Sequence, residues 1–400
     1  MSLADRLNEG PETPPEPAGG IEDFNPEVGG RFVDIKSTQP ITDWDSVFRE
    51  WNLDPEVFEI VVDSVRMSKW QQSKRLANGD RDIIALYSYR ATFRRKTKNA
   101  ITEGDISEAQ ARARKWKLPR RIPGTGLGEP VAAVLNLSDM QLMKSEGGGY
   151  EATLDRLYDG LENFQAEINR QRKHRNLTEL VIVNNGDPFE GIAGNYASQT
   201  HTVQGGLRAQ MNLVLDVWSS YSRELFPQFD KGQFVSVLCN HTEFGRQGGS
   251  AKSITSDSDN GGAFLAETLQ RVLTVTPGFG HVGFTIPHDE MNVYYEAAGV
   301  PMGFNHGHKI PGSDAAGFTK WLDGQVRGDD RARDVRVWVT AHRHNFQAWD
   351  LGSTFGFSCP SCDGGSKWLR DISGRFSRSG VLSFLVGEHH RLGWSDLAFL

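Results

Sequence analysis

Residues 131–137 read VAAVLNL, and the polar sequence Ser138-Asp139-Met140-Gln141 follows at once. Short runs of Val, Leu and Ala without charges are typical of strands that are buried on both faces of a sheet. The same arrangement recurs as LVIV (180–183) before Gly186-Asp187, FVSVL (234–238) before Asn240-His241, and VRVWVT (335–340) before His342-Arg343-His344. One further cluster, His306-Gly307-His308, which is the fourth of the five in chain order, follows a shorter apolar lead. Because catalytic groups gather at the carboxyl ends of such strands, the pattern predicts an α/β fold with one shared polar site.

The residue types in these clusters indicate a metal site. Asp, Asn, Gln and His side chains offer oxygen and imidazole donors, which together can hold two divalent cations. Each cluster alone has an ordinary structural explanation, since Gly186-Asp187 could form a turn and Asn240-His241 could cap a helix. Five clusters in order, four of them directly behind apolar runs, favour the metal site over these separate explanations.

The composition is that of a soluble globular protein. The chain has 400 residues, of which 38% are hydrophobic and 24% are charged, so it can bury a large core. No apolar run reaches the length of about 18 residues that a membrane span needs, and residues 1–17 lack the pattern of a secretory signal. Three cysteines do not make a disulfide scaffold, so we expect a cytoplasmic location.

Charge and composition divide the chain into three parts. Residues 1–30 carry a net charge of -6 and few apolar side chains, which predicts a disordered acidic tail. Residues 31–125 have aromatic anchors and include a segment, 90–121, with a net charge of +8, and we expect a small, basic, mainly helical accessory domain. Residues 126–400 form the main domain. It carries three amphipathic helical patterns, beginning near 154, 207 and 264, and ends in two neighbouring strands at 381–386 and 394–400.

The order D-x-Q, G-D, N-H, H-G, H-x-H resembles the calcineurin-like metallophosphoesterase superfamily over about residues 130–345. The segments LSDMQ, GDPFEG, N-H-T-E and NHGHK also resemble phosphoesterases found in phages of actinobacteria. The resemblance implies a four-layer αββα sandwich around a dinuclear centre that hydrolyses phosphoester bonds. For a phage-encoded protein it also implies the host cytoplasm.

The resemblance implies a role for each cluster. The ligands of the first metal would be Asp139, Gln141 and His344, and those of the second would be Asn240, His306 and His342. Asp187 would bridge both metals, while His241 would act without binding metal and protonate the leaving oxygen. His308 is the alternative to His306 at the fourth cluster, and the glycine that follows His306 favours His306.

This chain departs from the family pattern at four positions. Gln141 replaces a histidine, and its neutral amide oxygen tilts the expected metal towards Mn²⁺. Thr242 stands where an acid usually orients the catalytic histidine, so the partner of His241 is left open, and Glu243, one residue later, could serve if the loop turns. Glu190, which follows Gly186-Asp187-Pro188-Phe189, is a candidate acceptor behind the site. Cys239 and Ala341 each replace a glycine.

The basic segment bears on the substrate. Eleven basic residues in 90–121 lie among or beside Tyr87, Tyr89, Phe93 and Trp116, and charge with aromatic stacking is how single-stranded nucleic acid is bound. The alternative is a small basic unit whose aromatic residues form its own core. We therefore expect a nuclease acting on DNA. The alternatives are a small-nucleotide or cyclic-nucleotide phosphodiesterase and a catalytically weak nucleic-acid-binding protein. The sequence leaves the oligomeric state open.

Two further features carry weaker expectations. Arg246, Lys252 and Lys309 follow the third and fourth clusters closely, and each is either a phosphate contact or ordinary surface charge. Cys359-Pro-Ser-Cys362 is a lone C-x-x-C followed by Gly364-Gly365, which predicts a mobile loop with incidental thiols.

Overall fold

The computed structural model describes residues 19–26, 29–75, 81–96, 107, 110–112, 114–119, 128–196, 199–246, 253–312, 314–365 and 377–400. The chain divides into two compact units, Met1–Thr97 and Lys98–Leu400. Most of the predicted acidic tail (1–18 and 27–28) lies outside the described residues, but Gly20–Asn25 is a strand, so the expectation of disorder is wrong there. The first unit also ends well before residue 125.

The first unit is a sheet rather than the mainly helical domain predicted from the sequence. Its elements are β1 (Gly20–Asn25), β2 (Gly29–Ser37), α1 (Trp44–Glu50), β3 (Phe58–Ile60), β4 (Arg66–Arg75) and β5 (Arg81–Arg95). The sheet has the order β1-β2-β5-β3, with β4 also paired to β5, and every pairing is antiparallel. Helix α1 is capped by Asp43, whose side chain accepts from the backbone N–H of Asp45.

The reason for this correction is visible in β5. Tyr87, Tyr89, Ala91 and Phe93 are buried, whereas Arg90 and Arg94, which occupy alternate positions, are exposed. A strand with one face on a core buries every second residue in this way. This alternation therefore predicts a strand here and not the helix that was expected. The side chains of Tyr87, Tyr89 and Phe93 therefore belong to the core of the unit, which is the alternative that the sequence left open. Because they are buried, they are not available to stack on bases.

The second unit contains two sheets. Its strands are β6 (Pro130–Leu137), β7 (Asn176–Asn184), β8 (Lys231–Ser236), β9 (Val282–Thr285), β10 (Val293–Ala297), β11 (Val300–Asn305), β12 (Val337–Thr340), β13 (Gln347–Asp350), β14 (Phe355–Ser358), β15 (Leu382–Val386) and β16 (Trp394–Phe399). The first sheet has the order β16-β15-β6-β7-β8-β9 and is parallel from β6 to β9. The second has the order β10-β11-β12-β14-β13 and is parallel from β11 through β12 to β14. The predicted α/β class is therefore confirmed.

Among its described residues the second unit also contains the helices α2 (Gly149–Gln171), α3 (Leu207–Leu225), α4 (Gly261–Val275), α5 (Ala315–Gly328) and α6 (Asp330–Asp334). The first three are the amphipathic helices predicted from the sequence. In α4 the prediction of the buried face is partly wrong, since Phe264 and Val272 are about half exposed while Leu265 and Leu269 are buried. None of the helices in the described part of the chain is long and apolar enough to cross a membrane.

The buried clusters give the order of the layers. Alternate residues of β6 face opposite sides: Ala133 and Leu135 pack with α2, α3 and α4, whereas Ala132 and Val134 pack with β11, β12 and β14 of the second sheet. On the other side of the second sheet, Trp338 packs with Phe318 and Leu322 of α5. Helices thus cover the outer face of each sheet, and the two inner faces share one core. The tail strands β15 and β16 are neighbours, as predicted, and they extend the first sheet in the antiparallel sense.

Candidate metal centre

The five polar clusters lie in the loops that directly follow β6, β7, β8, β11 and β12. These loops are tied to one another by backbone hydrogen bonds, such as Asp139 N–H to the carbonyl of Gly186 (3.0 Å) and Gln141 N–H to the carbonyl of Asp187 (2.9 Å). The residues with positive φ between 39° and 67° include Asp139, Gln141, Asp187, His342 and His344. Non-glycine residues seldom adopt this conformation, and where they cluster they commonly mark functional sites.

One group of donors fits a metal ion in the described residues. A ligand atom of each of Asp187, His306 and His342 lies within 4.8 Å of the others. His306 Nε2 is 2.9 Å from Asp187 Oδ2 and 3.1 Å from Asn240 Oδ1, so the amide oxygen of Asn240 points into the same group. These are the residues expected at the second metal position together with the expected bridging carboxylate. A carboxylate, an amide oxygen and two imidazoles form a donor set that divalent first-row metals accept.

Contacts behind these donors fix their orientation. His306 Nδ1 lies 2.9 Å from the carbonyl oxygen of Asn185, to which it donates, so Nε2 is the nitrogen that faces the group and would bind a metal on losing its proton. Gly186 is required for this approach, since a Cβ there would come within 2.3 Å of His306 Nδ1 and φ is 101°. Burial, with the charge of His306 adding to it, lowers the pKa of His342 to about 2, so its imidazole stays neutral and able to bind metal.

His308 lies beside this group rather than in it. Its ring centroid is 5.5 Å from that of His306, and neither of its buried ring nitrogens has a hydrogen-bond partner among the described residues. Burial and the charge of His306 lower its pKa to about 3. His306 contacts Asp187 and Asn240, whereas His308 has no such contact among the described residues, and the choice of His306 as the ligand stays a prediction.

The residues expected at the first metal position are arranged differently. His344 Nε2 is 3.3 Å from Asp139 Oδ1, and Asp139 Oδ2 accepts from the backbone N–H of His342 at 3.0 Å. The amide oxygen of Gln141 instead accepts from Lys144 Nζ at 2.8 Å. An ammonium can only donate, so this contact also decides which end of the Gln141 amide is oxygen. The oxygen that was expected to bind metal therefore has another partner.

Lys144 and Asp363 were missed by the sequence reasoning. Both are buried, Lys144 Nζ lies 2.5 Å from Asp363 Oδ2, and Asp363 Oδ1 is 3.5 Å from His344 Nδ1. Burial lowers the pKa of Lys144, but Asp363 and Glu190 outweigh that effect and raise it above its usual value. Burial likewise lowers the pKa of His344, but Asp139 and Asp363 raise it to about 10.

The loop that carries Asp363 is the one predicted to be mobile. Over Cys359–Asp363 it is buried and fastened to the loop after β6, since Ser138 Oγ donates to the carbonyl of Pro360 and the N–H of Asp363 donates to the carbonyl of Asp139. The expectation of a mobile loop is wrong for these residues. Both thiols are free and buried, and burial raises the pKa of each to about 12.

His241 has a partner that the sequence left open. Its Nδ1 lies 2.8 Å from the carbonyl oxygen of Glu190 and 3.3 Å from Glu190 Oε2, and its backbone N–H donates to Asp187 Oδ1 at 2.9 Å. Burial lowers the pKa of His241, but the carboxylates of Glu190 and Asp187 outweigh it and raise the pKa to about 9. Gln141 Nε2 is 3.3 Å from His241 Nε2, a contact that is a hydrogen bond only while that nitrogen is unprotonated.

Neither Thr242 nor Glu243 takes the orienting role. The hydroxyl of Thr242 donates to Asn260 Oδ1 at 2.7 Å, and Asn260 in turn caps α4. Glu243 pairs with Arg246 at 2.9 Å. The missing acid is therefore supplied by Glu190, which is buried and comes from the loop after β7. A cavity of about 110 Å³ adjoins His241 and is lined in part by Phe189 and Phe244.

The cationic side chains suggested as phosphate contacts are engaged in ion pairs. Arg246 pairs with Glu243, and Lys309 Nζ lies 2.5 Å from Asp257 Oδ2. Lys252 lies outside the described residues. These pairs agree with the ordinary surface-charge explanation for Lys309, which is about half exposed, and place Arg246 at the wall of the cavity beside His241.

Comparisons with known proteins give weak matches. No protein-family model matches the chain, and no curated protein sequence matches it significantly. Among solved structures, it is similar to wild-type Vps29 complexed with zinc from Entamoeba histolytica (10% identity, TM-score 0.27, covering 67% of this chain and 98% of that one). It is also similar to a novel archaeal phosphodiesterase (10%, TM-score 0.31, 67% and 99%) and to a putative 5'-nucleotidase from Staphylococcus aureus (12%, TM-score 0.29, 68% and 54%). At these values none of the matches assigns a family or an activity to the chain.

Proposed function

We propose that this chain is a calcineurin-like metallophosphoesterase, with the αββα layering of that fold, and that it hydrolyses phosphodiester bonds in DNA. The observation that carries the proposal is the convergence of Asp187, Asn240, His306 and His342 on one point, with His241 against the same carboxylate. These residues come from four separate loops, so their meeting is a property of the tertiary structure and not of local sequence.

The residues divide between holding a cation and moving a proton. Asp187, Asn240, His306 and His342 would hold a divalent cation, which when bound acts as a Lewis acid and lowers the pKa of water. His241 is held at Nδ1 by Glu190, which leaves Nε2 to give a proton to the leaving oxygen. The carboxylates of Glu190 and Asp187 favour the protonated imidazole that this step needs.

We propose Mn²⁺ as the metal, although the structure removes the sequence-based reason for expecting it. That expectation rested on the amide oxygen of Gln141, and this oxygen accepts from Lys144. The remaining donors, two imidazoles with one carboxylate and one amide oxygen, suit Zn²⁺ and Fe²⁺ as well as Mn²⁺. Mn²⁺ is therefore the first metal to supply in an assay rather than one selected by the geometry.

The choice of DNA rests on charge. Arg90, Arg94, Arg95 and Lys96 are exposed on or beside β5 and can neutralise phosphates. The buried aromatic residues of this strand add nothing to that choice. A small-nucleotide or cyclic-nucleotide phosphodiesterase is the second candidate, favoured by the pairing of Arg94 with Glu59 at 2.8 Å, which offsets part of the charge. A catalytically weak nucleic-acid-binding protein is the third, favoured by the engagement of Gln141.

A substrate panel tests the proposal. The full chain is incubated with Mn²⁺ and with single- and double-stranded DNA, RNA, cyclic nucleotides, phosphomonoesters and a chromogenic diester, beside Asp187→Asn and the exposed control Asp159→Asn. We expect cleavage of DNA and of the diester by the wild type and by Asp159→Asn but not by Asp187→Asn. Faster turnover of cyclic nucleotides than of DNA would establish the second candidate. A metal-loaded wild type that cleaves nothing would establish the third.

A further inference from the structure

A buried cation of the protein's own lies beside Gln141, one of the residues expected at the first metal position. Lys144 is 7% exposed, and its Nζ lies 2.5 Å from Asp363 Oδ2, 2.8 Å from Gln141 Oε1 and 3.9 Å from Glu146 Oε2. Lysine is rarely buried to this degree, and when it is, the ammonium is paired. Two of its hydrogen bonds go to Asp363 Oδ2 and Gln141 Oε1, and Glu146 adds a negative charge nearby.

The neighbouring donors are turned to protein partners as well. The amide oxygen of Gln141 accepts from the ammonium, which withdraws electron density from a donor that is already neutral and weak. His344 lies between two carboxylates, with Nε2 3.3 Å from Asp139 and Nδ1 3.5 Å from Asp363. A divalent cation placed here would meet the ammonium across the same amide oxygen, and like charges at that separation repel.

The second position differs in its surroundings. His306 contacts Asp187 and Asn240, a ligand atom of His342 lies within 4.8 Å of those of Asp187 and His306, and Nδ1 of His306 is held from behind by a backbone carbonyl. Arg343, which follows His342 in the sequence, donates from its guanidinium to the carbonyl of Ile310 at 2.6 Å and not to this group of ligands. One end of the centre therefore holds a group of metal ligands, whereas the other end holds the ion pair between Lys144 and Asp363.

We propose that the ammonium of Lys144 replaces the first metal ion, so that the chain binds one divalent cation, at Asp187, Asn240, His306 and His342. Lys144 supplies a fixed positive charge at the Gln141 end of the centre, and Asp363 holds it there. The inference rests on the proposed function for the presence of the remaining metal. It replaces the two-metal expectation drawn from the sequence.

The bound metal is counted to test this. The full chain is loaded with excess Mn²⁺, freed of unbound ion by dialysis, and measured by elemental mass spectrometry and electron paramagnetic resonance. We expect one equivalent per chain and the spectrum of an isolated Mn²⁺ ion. Two equivalents with a spin-coupled spectrum would overturn the replacement by Lys144 while supporting the proposed function. No retained metal would overturn both.

Variants at Lys144 test the cause of the count. Lys144→Met removes the ammonium and leaves the carboxylate of Asp363 without this partner, so we expect the metal content to rise towards two equivalents. Lys144→Arg keeps the charge and should stay at one, as should the exposed control Lys173→Met. If Lys144→Met folds, by circular dichroism, and still binds one equivalent, the ammonium does not exclude the first metal. If it does not fold, the wild-type count and spectrum still decide the question.

Discussion

Glu190 is predicted to be the residue through which His241 works, and Glu190→Gln tests it. Glu190 is fully buried, and its Oε1 accepts from the hydroxyl of Tyr196 at 2.5 Å. Glutamine has the same shape and can still accept that hydrogen bond through its amide oxygen. The substitution therefore removes one negative charge near His241 while keeping the packing of the loop after β7.

The magnitude follows from the distance between the two groups. At 3.3 Å, a full charge on each gives an attraction of about 5 kcal/mol at an effective dielectric constant of 20. Only part of this reaches turnover, because the backbone carbonyl of Glu190 still lies 2.8 Å from His241 Nδ1 and keeps the ring oriented. Partners that orient an active residue in this way typically contribute roughly 10- to 100-fold, and we expect kcat to fall within that range.

The assay is steady-state hydrolysis of a chromogenic diester with metal content measured in parallel. Because Glu190 holds His241 and is not a metal ligand, we expect kcat to fall while KM and bound metal stay close to wild type. Glu243→Gln is the matched control, since Glu243 pairs with Arg246 rather than with His241. Full turnover in Glu190→Gln, or an equal loss in Glu243→Gln, would refute the assignment of Glu190.

Three further predictions follow from the described contacts. His241→Ala is expected to lower turnover by roughly 100-fold or more while metal content persists, and loss of the metal equivalent would make it a ligand instead. Gly186→Ala is expected to weaken metal binding, measured by isothermal titration, because its Cβ would press on the His306 ring within 2.3 Å; unchanged affinity would contradict that contact. Arg95→Gln with Lys96→Gln is expected to weaken binding to single-stranded DNA and to flatten its salt dependence, by roughly 0.7 in slope for each phosphate that is no longer neutralised, whereas an unchanged slope would remove this strand from the interface.

The sequence is sufficient where the signal is local. Apolar runs at 131–137 and 180–183 predict the central parallel strands β6 and β7, because a strand buried on both faces needs side chains that are apolar throughout. The same local reasoning is wrong in the first unit, where the aromatic residues of β5 suggested a helical core. From Tyr87 to Arg94 the sequence alternates between residues that are buried and residues that are more exposed. This alternation predicts a strand more strongly than the aromatic content predicts a helix.

The candidate site likewise contains some features that the sequence predicts and others that only the folded chain shows. Asp187, His306 and His342 follow buried strands, and the common carboxyl edge of parallel strands brings such residues together, so the sequence alone predicts a metal-binding group. The role of Gln141 is not predictable in this way. Its oxygen could have faced a metal or another side chain, and only the folded chain shows Lys144 as its partner.

By itself, then, the sequence determined the α/β class of the second unit, the position of its polar edge and the residue types available there, because each follows from a pattern within one strand and its loop. Tertiary structure alone decided which of those residues face one another. Asp363 meets Lys144 across 219 positions of the chain, and Glu190 reaches His241 across 51. Pairings of that kind depend on how separate loops are packed, and no periodicity or spacing in the sequence records them.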